Sequence, residues 1–149
     1  MRPGIKAVVA VARIAEVMGG RRVLGRQVVS WSDLDDVIAA GLPRAALDVL
    51  VKYVASPPDS TRMKYRIVPK ATYQRSVQLN LAHSQKAERL ARVFAMAESI
   101  WQDEAEARRF MNTPHAELKG RMPVDVAMTE VGARQVEEVI ERGRHGLPV

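Results

Sequence analysis

Apolar residues recur at helical spacing along most of the chain. Val11, Ile14 and Met18 share one face of a segment from Ile5 to Met18, which Gly19-Gly20 stops. Ser30 or Ser32 can cap a short helix with Leu34, Val37 and Ile38 inward, and Asp33 and Asp35 stand in its first turn, where the helix dipole favours acids. Gly41 ends that helix, Pro43 suits the first turn of the next, and Ala46, Leu47, Leu50, Val51 and Val54 carry its stripe to Ser56-Pro57-Pro58. Leu79-Asn80 opens the longest helix, with Ala87, Leu90, Ala91, Phe94, Ala97 and Trp101 on one inward stripe and Glu88 and Arg92, four apart, on the exposed side. Only Arg21 to Val29 breaks the period: Val23-Leu24 and Gln27-Val28-Val29 read as an extended pair turned at Gly25-Arg26. The pattern predicts an all-α fold that admits a minor β-hairpin near residues 21–29.

The last third alternates strong stop and start signals. Asp103, followed three residues later by Glu106, predicts a capped helix with Ala107, Phe110 and Met111 on one face, and Pro114 ends it by Asn112. Pro114 to Pro123 carries two prolines and a glycine, an ordered loop anchored by Leu118 and Met122. Thr129 caps a final helix from Glu130 with Val136, Val139 and Ile140 inward and Arg142 near the negative end of the dipole, stopped at Gly143. Trp101 and Phe110 are expected to anchor the core.

Length and composition narrow what such a chain can be. With 149 residues, 47% of them hydrophobic, it can bury one respectable core but not two large independent ones. The absence of cysteine excludes disulfide scaffolds, thiolate zinc sites and Cys nucleophiles, and fits a reducing, intracellular compartment, here read as the cytoplasm. The apolar run Ala7 to Ala12 is broken by Arg13 and Glu16 and is too short to span a membrane. His83, His115 and His145 lie at no compact ligand spacing, and no nucleophile elbow, phosphate loop or dinucleotide glycine pattern occurs, so neither enzyme chemistry nor a metal or cofactor is expected.

Net charge changes the picture more. At +6, with a pI near 10.1, the chain favours a polyanionic partner, though charge alone does not separate DNA from RNA, an acidic protein or anionic lipid. The most basic stretch is Ser60 to Val77. A short helix, a turn at Arg66-Ile67-Val68 and a second helix from Pro69 would make a helix-turn-helix offering Arg62, Lys64, Lys70, Thr72, Gln74 and Arg75 to a groove. A solvated basic surface accounts for the same spacing equally well.

Several of these residues also carry a resemblance. Phe110-Met111-Asn112-Thr113-Pro114-His115, Leu118, Gly120, Pro123-Val124-Asp125, Thr129-Glu130-Val131-Gly132-Ala133, Val136 and Gly143 resemble the toxin-binding domain of the Xre/MbcA/ParS-like antitoxins. Ile38 to Pro43 and Ser84 to Phe94 resemble the rest of that family, so the likeness runs from about Val37 onward. It implies a type II antitoxin that neutralises a RES-domain toxin, an enzyme that attacks or uses NAD, and that also binds operator DNA as a homodimer.

The resemblance divides the chain into an N-terminal helix-turn-helix and dimerisation region, 1–78, and a toxin-binding domain, 79–149. Thr72 and Arg75 match the family's recognition-helix Thr and Arg. Arg66 stands where the turn usually has glycine, and Ala71 and Ser76 replace two arginines, which puts operator binding in doubt. The family's C-terminal end enters the toxin's NAD cleft. By that likeness His145, Gly146, Leu147, Pro148 and Val149 form a plug, with Arg121, Val131 and Arg134 as a broader contact surface; a frayed terminus is the alternative. A stand-alone repressor and a small helical scaffold remain the competing functions.

Overall fold

The computed structural model describes residues 10–144. They form ten α-helices: α1 Val11–Val17, α2 Gly20–Leu24, α3 Trp31–Ala40, α4 Arg44–Val54, α5 Asp59–Ile67, α6 Lys70–Arg75, α7 Leu81–Trp101, α8 Glu104–Met111, α9 Pro123–Val126 and α10 Glu130–Arg144. A 3-10 turn, Ala116–Leu118, lies between α8 and α9. The described residues contain only two isolated β-bridges and no sheet, so the fold is all-α.

The expected hairpin near 21–29 is not formed. Gly19 and Gly20 both sit at positive φ, and instead of ending helical structure they let the chain restart at once into α2, which Gly25 closes at φ +80. Val23 and Leu24 are thereby both packed, partly buried, against the core. The stretch Ile5 to Val9 of the first predicted helix lies outside the described residues.

Side-chain caps set several helix starts. Ser30 Oγ accepts from Asp33 N–H at 3.0 Å while Asp33 Oδ2 accepts from Ser30 N–H at 3.2 Å, a reciprocal box that opens α3. The N–H of Val29 adds a third bond to that carboxylate and, more than any other contact, holds it below the usual carboxylate range. Asn80 caps α7, Asp103 caps α8, and Thr129 Oγ1 accepts from Gly132 N–H at 3.0 Å in the first turn of α10.

Helix α7 is the spine. It packs against α1, α3, α4, α5, α8 and α10, and Ala87, Leu90, Ala91, Val93, Phe94, Ala95, Met96 and Ala97 are buried along it. The small alanines let neighbouring helices approach closely while Leu90 and Phe94 fill the space between them. Two devices tie the N-terminal helices to this spine. Arg13 on α1 makes a two-pronged ion pair with Glu98, both contacts 2.7 Å, and its guanidinium lies 5.2 Å from the Tyr53 ring centre on α4. Ser84 Oγ, fully buried, accepts from Leu42 N–H at 2.9 Å. At the neighbouring Gly41, φ +93, a Cβ would stand 2.6 Å from Leu79 O, so only glycine fits between α3 and the start of α7.

Three expectations change on α7, α8 and α10. Glu88 is not on an open face: its side chain is only 15% exposed, burial pushes its carboxyl up, and Arg92, which bonds it at 3.2 Å and lies 3.6 Å from Glu137, offsets part of that cost. Helix α10 continues past Gly143 to Arg144, because a glycine weakens a helix without ending it. Trp101 and Phe110 stack on each other with ring centres 5.0 Å apart but remain half-buried; the fully buried aromatic ring is Phe94. Phe110→Ala is therefore expected to cost about 2–3 kcal/mol, below the range for a fully enclosed ring. Thermal unfolding measures it, and an unchanged midpoint would mean that the Trp101 contact contributes nothing.

Candidate functional site

Residues 112–142 build a surface from a closed loop and the outer face of α10. Asn112 Nδ2 donates to Val54 O at 2.7 Å, which fixes the end of α8 against α4. The loop then closes on itself: His115 N–H donates to Arg121 O at 3.1 Å and Gly120 N–H to His115 O at 3.0 Å. Lys119 and Gly120, both at positive φ, make the reversal, and Leu118, 2% exposed, pins the loop to the core. His115 Nδ1 accepts from Glu117 N–H at 3.2 Å, and its buried Nε2 has no hydrogen-bond partner among the described residues; the Phe110 ring lies edge-on with its centre 6.3 Å from the imidazole. An ion pair between Glu117 and Arg142 joins the loop to α10.

Helix α10 buries Ala133, Val136, Val139 and Ile140 and turns the opposite side outward. Val131 is 67% exposed, and Arg134 is exposed beside it, three residues on. A groove of about 260 Å³ runs between the loop residues Glu117, Lys119 and Arg121 and the helix residues Gln135, Glu138 and Arg142. Val131 and Gln135, like Arg134 and Glu138, are four apart, so this groove borders the exposed face. The fold thus brings Arg121, Val131 and Arg134 to one side of the molecule. His145, Gly146, Leu147, Pro148 and Val149 lie outside the described residues.

The basic stretch divides between α5 and α6. Lys70, Gln74 and Arg75 are exposed on α6 and Thr72 is half-buried; Lys70 and Arg75 have no acidic partner among the described residues. On α5, Arg62 pairs with Asp59 at 2.6 Å and Arg66 pairs with Asp125 on α9. Lys64 is turned inward. Its Nζ lies 3.1 Å from Asp48 on α4 and 4.4 Å from the Tyr73 ring centre, with only 18% of the side chain exposed. Burial opposes its charge, but the bond to Asp48 and the field of that carboxylate outweigh it and hold the ammonium above its ordinary value. Of six residues expected to face a groove, Lys64 is thus committed to an internal ion pair, which sequence spacing could not disclose because Asp48 lies sixteen residues away on another helix.

No group of three or more His, Asp or Glu is placed to hold a metal among the described residues, and no helix among them is long and apolar enough to cross a membrane.

Comparison with known proteins places the likeness on the same C-terminal surface. Residues 96–146 match the model of the antitoxin Xre/MbcA/ParS C-terminal toxin-binding domain, which covers α8, the loop, α9 and α10. The chain is also 30% identical over 71 residues to antitoxin Xre of Pseudomonas putida KT2440, across 48% of this chain and 45% of that protein, so it spans about half the length of the curated relative it matches. Both descriptions are of antitoxins. Through its C-terminal third, therefore, this chain is similar to the antitoxins of the Xre/MbcA/ParS kind.

Proposed function

We propose that the chain neutralises a RES-domain, NAD-using toxin. In this mechanism Val131, Arg134 and Arg121 supply the contact surface, and the C-terminal end, from His145 to Val149, occupies the toxin's NAD cleft. The observation that carries it is Val131: a large aliphatic side chain, 67% exposed, stands on an otherwise polar helix face inside the stretch that matches a toxin-binding domain. A single exposed apolar residue is ordinary, and Val29, Trp31, Val77 and Leu81 are exposed as well; what singles out Val131 is its place inside the matched stretch. Co-purification from cells that also express the neighbouring reading frame tests the proposal. Retention of an NAD-using enzyme is the expected result; a chain that is recovered alone but still binds DNA would instead be a stand-alone repressor.

A second activity rests on α6. Lys70 and Arg75 project without acidic partners from a helix that follows α5 after two residues, which suits contact with the backbone of operator DNA. A homodimer would carry two such helices to two half-sites. Lys70→Ala and Arg75→Ala are each expected to weaken binding to the duplex upstream of the reading frame and to lower the salt slope by about one. Arg62→Ala, which removes a cation already paired with Asp59, should do less. Mobility shifts over a salt series measure this, and equal binding by both variants and parent, or no binding at all, would retire α6 as a DNA contact.

A further inference from the structure

Helix α6 is too short to hold itself. It has six residues, no side-chain cap at Pro69 and no fully buried side chain, whereas isolated helices need about 12–15 residues to be even marginal in water. Its central anchor is Tyr73, in a cluster drawn from three helices, while Lys70 Nζ lies 5.8 Å from the Tyr65 ring centre and Arg44 N–H donates to Val77 O just beyond the helix. The Tyr73 hydroxyl donates to the Asp48 carboxylate, 2.7 Å from Oδ2 and 2.8 Å from Oδ1. Lys64 Nζ bonds the same carboxylate and lies over the Tyr73 ring, and Tyr65 meets that ring edge-on with centres 6.0 Å apart. Arg44, four residues before Asp48 on α4, holds its guanidinium 5.3 Å from the ring centre. Its NH1 donates to Tyr73 O at 3.0 Å and to Gln74 O at 3.3 Å, which satisfies carbonyls that the end of a short helix leaves open.

We propose that Asp48, Arg44 and Lys64 are positioning residues that clamp α6 through Tyr73, so that Lys70, Gln74 and Arg75 are presented as a fixed outward face to an anionic ligand. The presentation of a nucleic-acid backbone contact rests on the DNA activity proposed above; the clamp itself does not. Lys64 serves the ligand only indirectly, by neutralising Asp48 against the Tyr73 ring. The cluster joins α4, α5 and α6 and leaves the α7 spine untouched, so loosening it frees α6 before it unfolds the protein.

Amide hydrogen exchange on the full chain separates these cases. Tyr73→Phe keeps the ring and removes the bond to Asp48; Asp48→Asn keeps an acceptor and removes the charge that holds Lys64. Both are expected to lower protection of the 70–75 amides by about tenfold while α7 amides keep theirs. Lys64→Met should do the same, and Arg75→Ala should not. Unchanged protection of 70–75 in Tyr73→Phe and Asp48→Asn overturns the clamp, and so does an equal loss across α4, α5 and α7, which would make the cluster an ordinary part of the core. The duplex upstream of the reading frame is then titrated with the same proteins. If the parent binds it, Tyr73→Phe should bind more weakly although no exposed cation has been removed. If the parent does not bind, the DNA activity fails while the exchange result still decides the clamp.

Discussion

Gly132→Ala is expected to destabilise the chain by at least about 3 kcal/mol, more than any surface substitution in it. Gly132 lies in the first turn of α10, where a Cβ would stand 1.8 Å from Val126 O, 2.9 Å from Val126 C and 2.7 Å from Thr129 Oγ1. None of these atoms is the free end of a flexible side chain. The Val126 carbonyl is the end of α9, and Thr129 Oγ1 is committed to capping α10 through Gly132's own N–H. To admit a methyl group, α9 must leave its place, taking the buried Pro123, Val124 and Val126 with it, or α10 must lift from α7 and expose Val136, Val139 and Ile140. Either route breaks the surface that matches the toxin-binding domain. Urea unfolding of the variant measures the loss; a midpoint equal to the parent's would mean that α9 and α10 do not meet as described.

That contact marks the boundary of what the sequence discloses. Residues such as Leu34, Leu47, Leu50, Leu90 and Val136 were legible as core because burial on a helix repeats every three to four positions and the period is written in the chain. The caps at Asp103 and Thr129 were legible, and the cap of α3 was narrowed to Ser30 or Ser32, because a cap acts within three residues. Interactions between helices carry no such period. The inward turn of Lys64 depends on Asp48, the engagement of Arg66 on Asp125, and the enclosure of Glu88 on α3 and α10 closing over it. Each is set by tertiary packing between residues far apart along the chain. Val23-Leu24 failed for a different reason: two apolar residues are too few to distinguish a strand from a helical turn, and paired glycines at positive φ decided for the turn. At the candidate site, Val131 and Arg134 were named through the family likeness, whereas α9, which leads into α10, was not read as a helix: it begins at Pro123, the last residue of the stretch read as loop.

Val131→Asp and deletion of Gly146 to Val149 are expected to disable neutralisation in two different ways. Val131 is two-thirds exposed in the first turn of α10, where a carboxylate suits the helix dipole, so the substitution should change folding stability by no more than about 0.5 kcal/mol. If Val131 is the apolar centre of the toxin contact, a buried, unpaired aspartate there should cost about 2 kcal/mol or more of binding, roughly thirtyfold in affinity. Inhibition would then fail because the complex does not form. The tail acts on another quantity. A short segment from His145 to Val149 would fill a cleft shaped for NAD, and Pro148 reduces the freedom lost when the segment docks. Removing four residues while α10 is left whole should therefore preserve the complex and release NAD consumption within it. Calorimetry reads the first variant, and NAD turnover by the purified complex reads the second. Full inhibition by the truncated chain would move the neutralising contact from the chain end to the α10 face. Full affinity with Val131→Asp would exclude that face instead, and parent-like behaviour from both variants would leave neither part of the proposed mechanism standing.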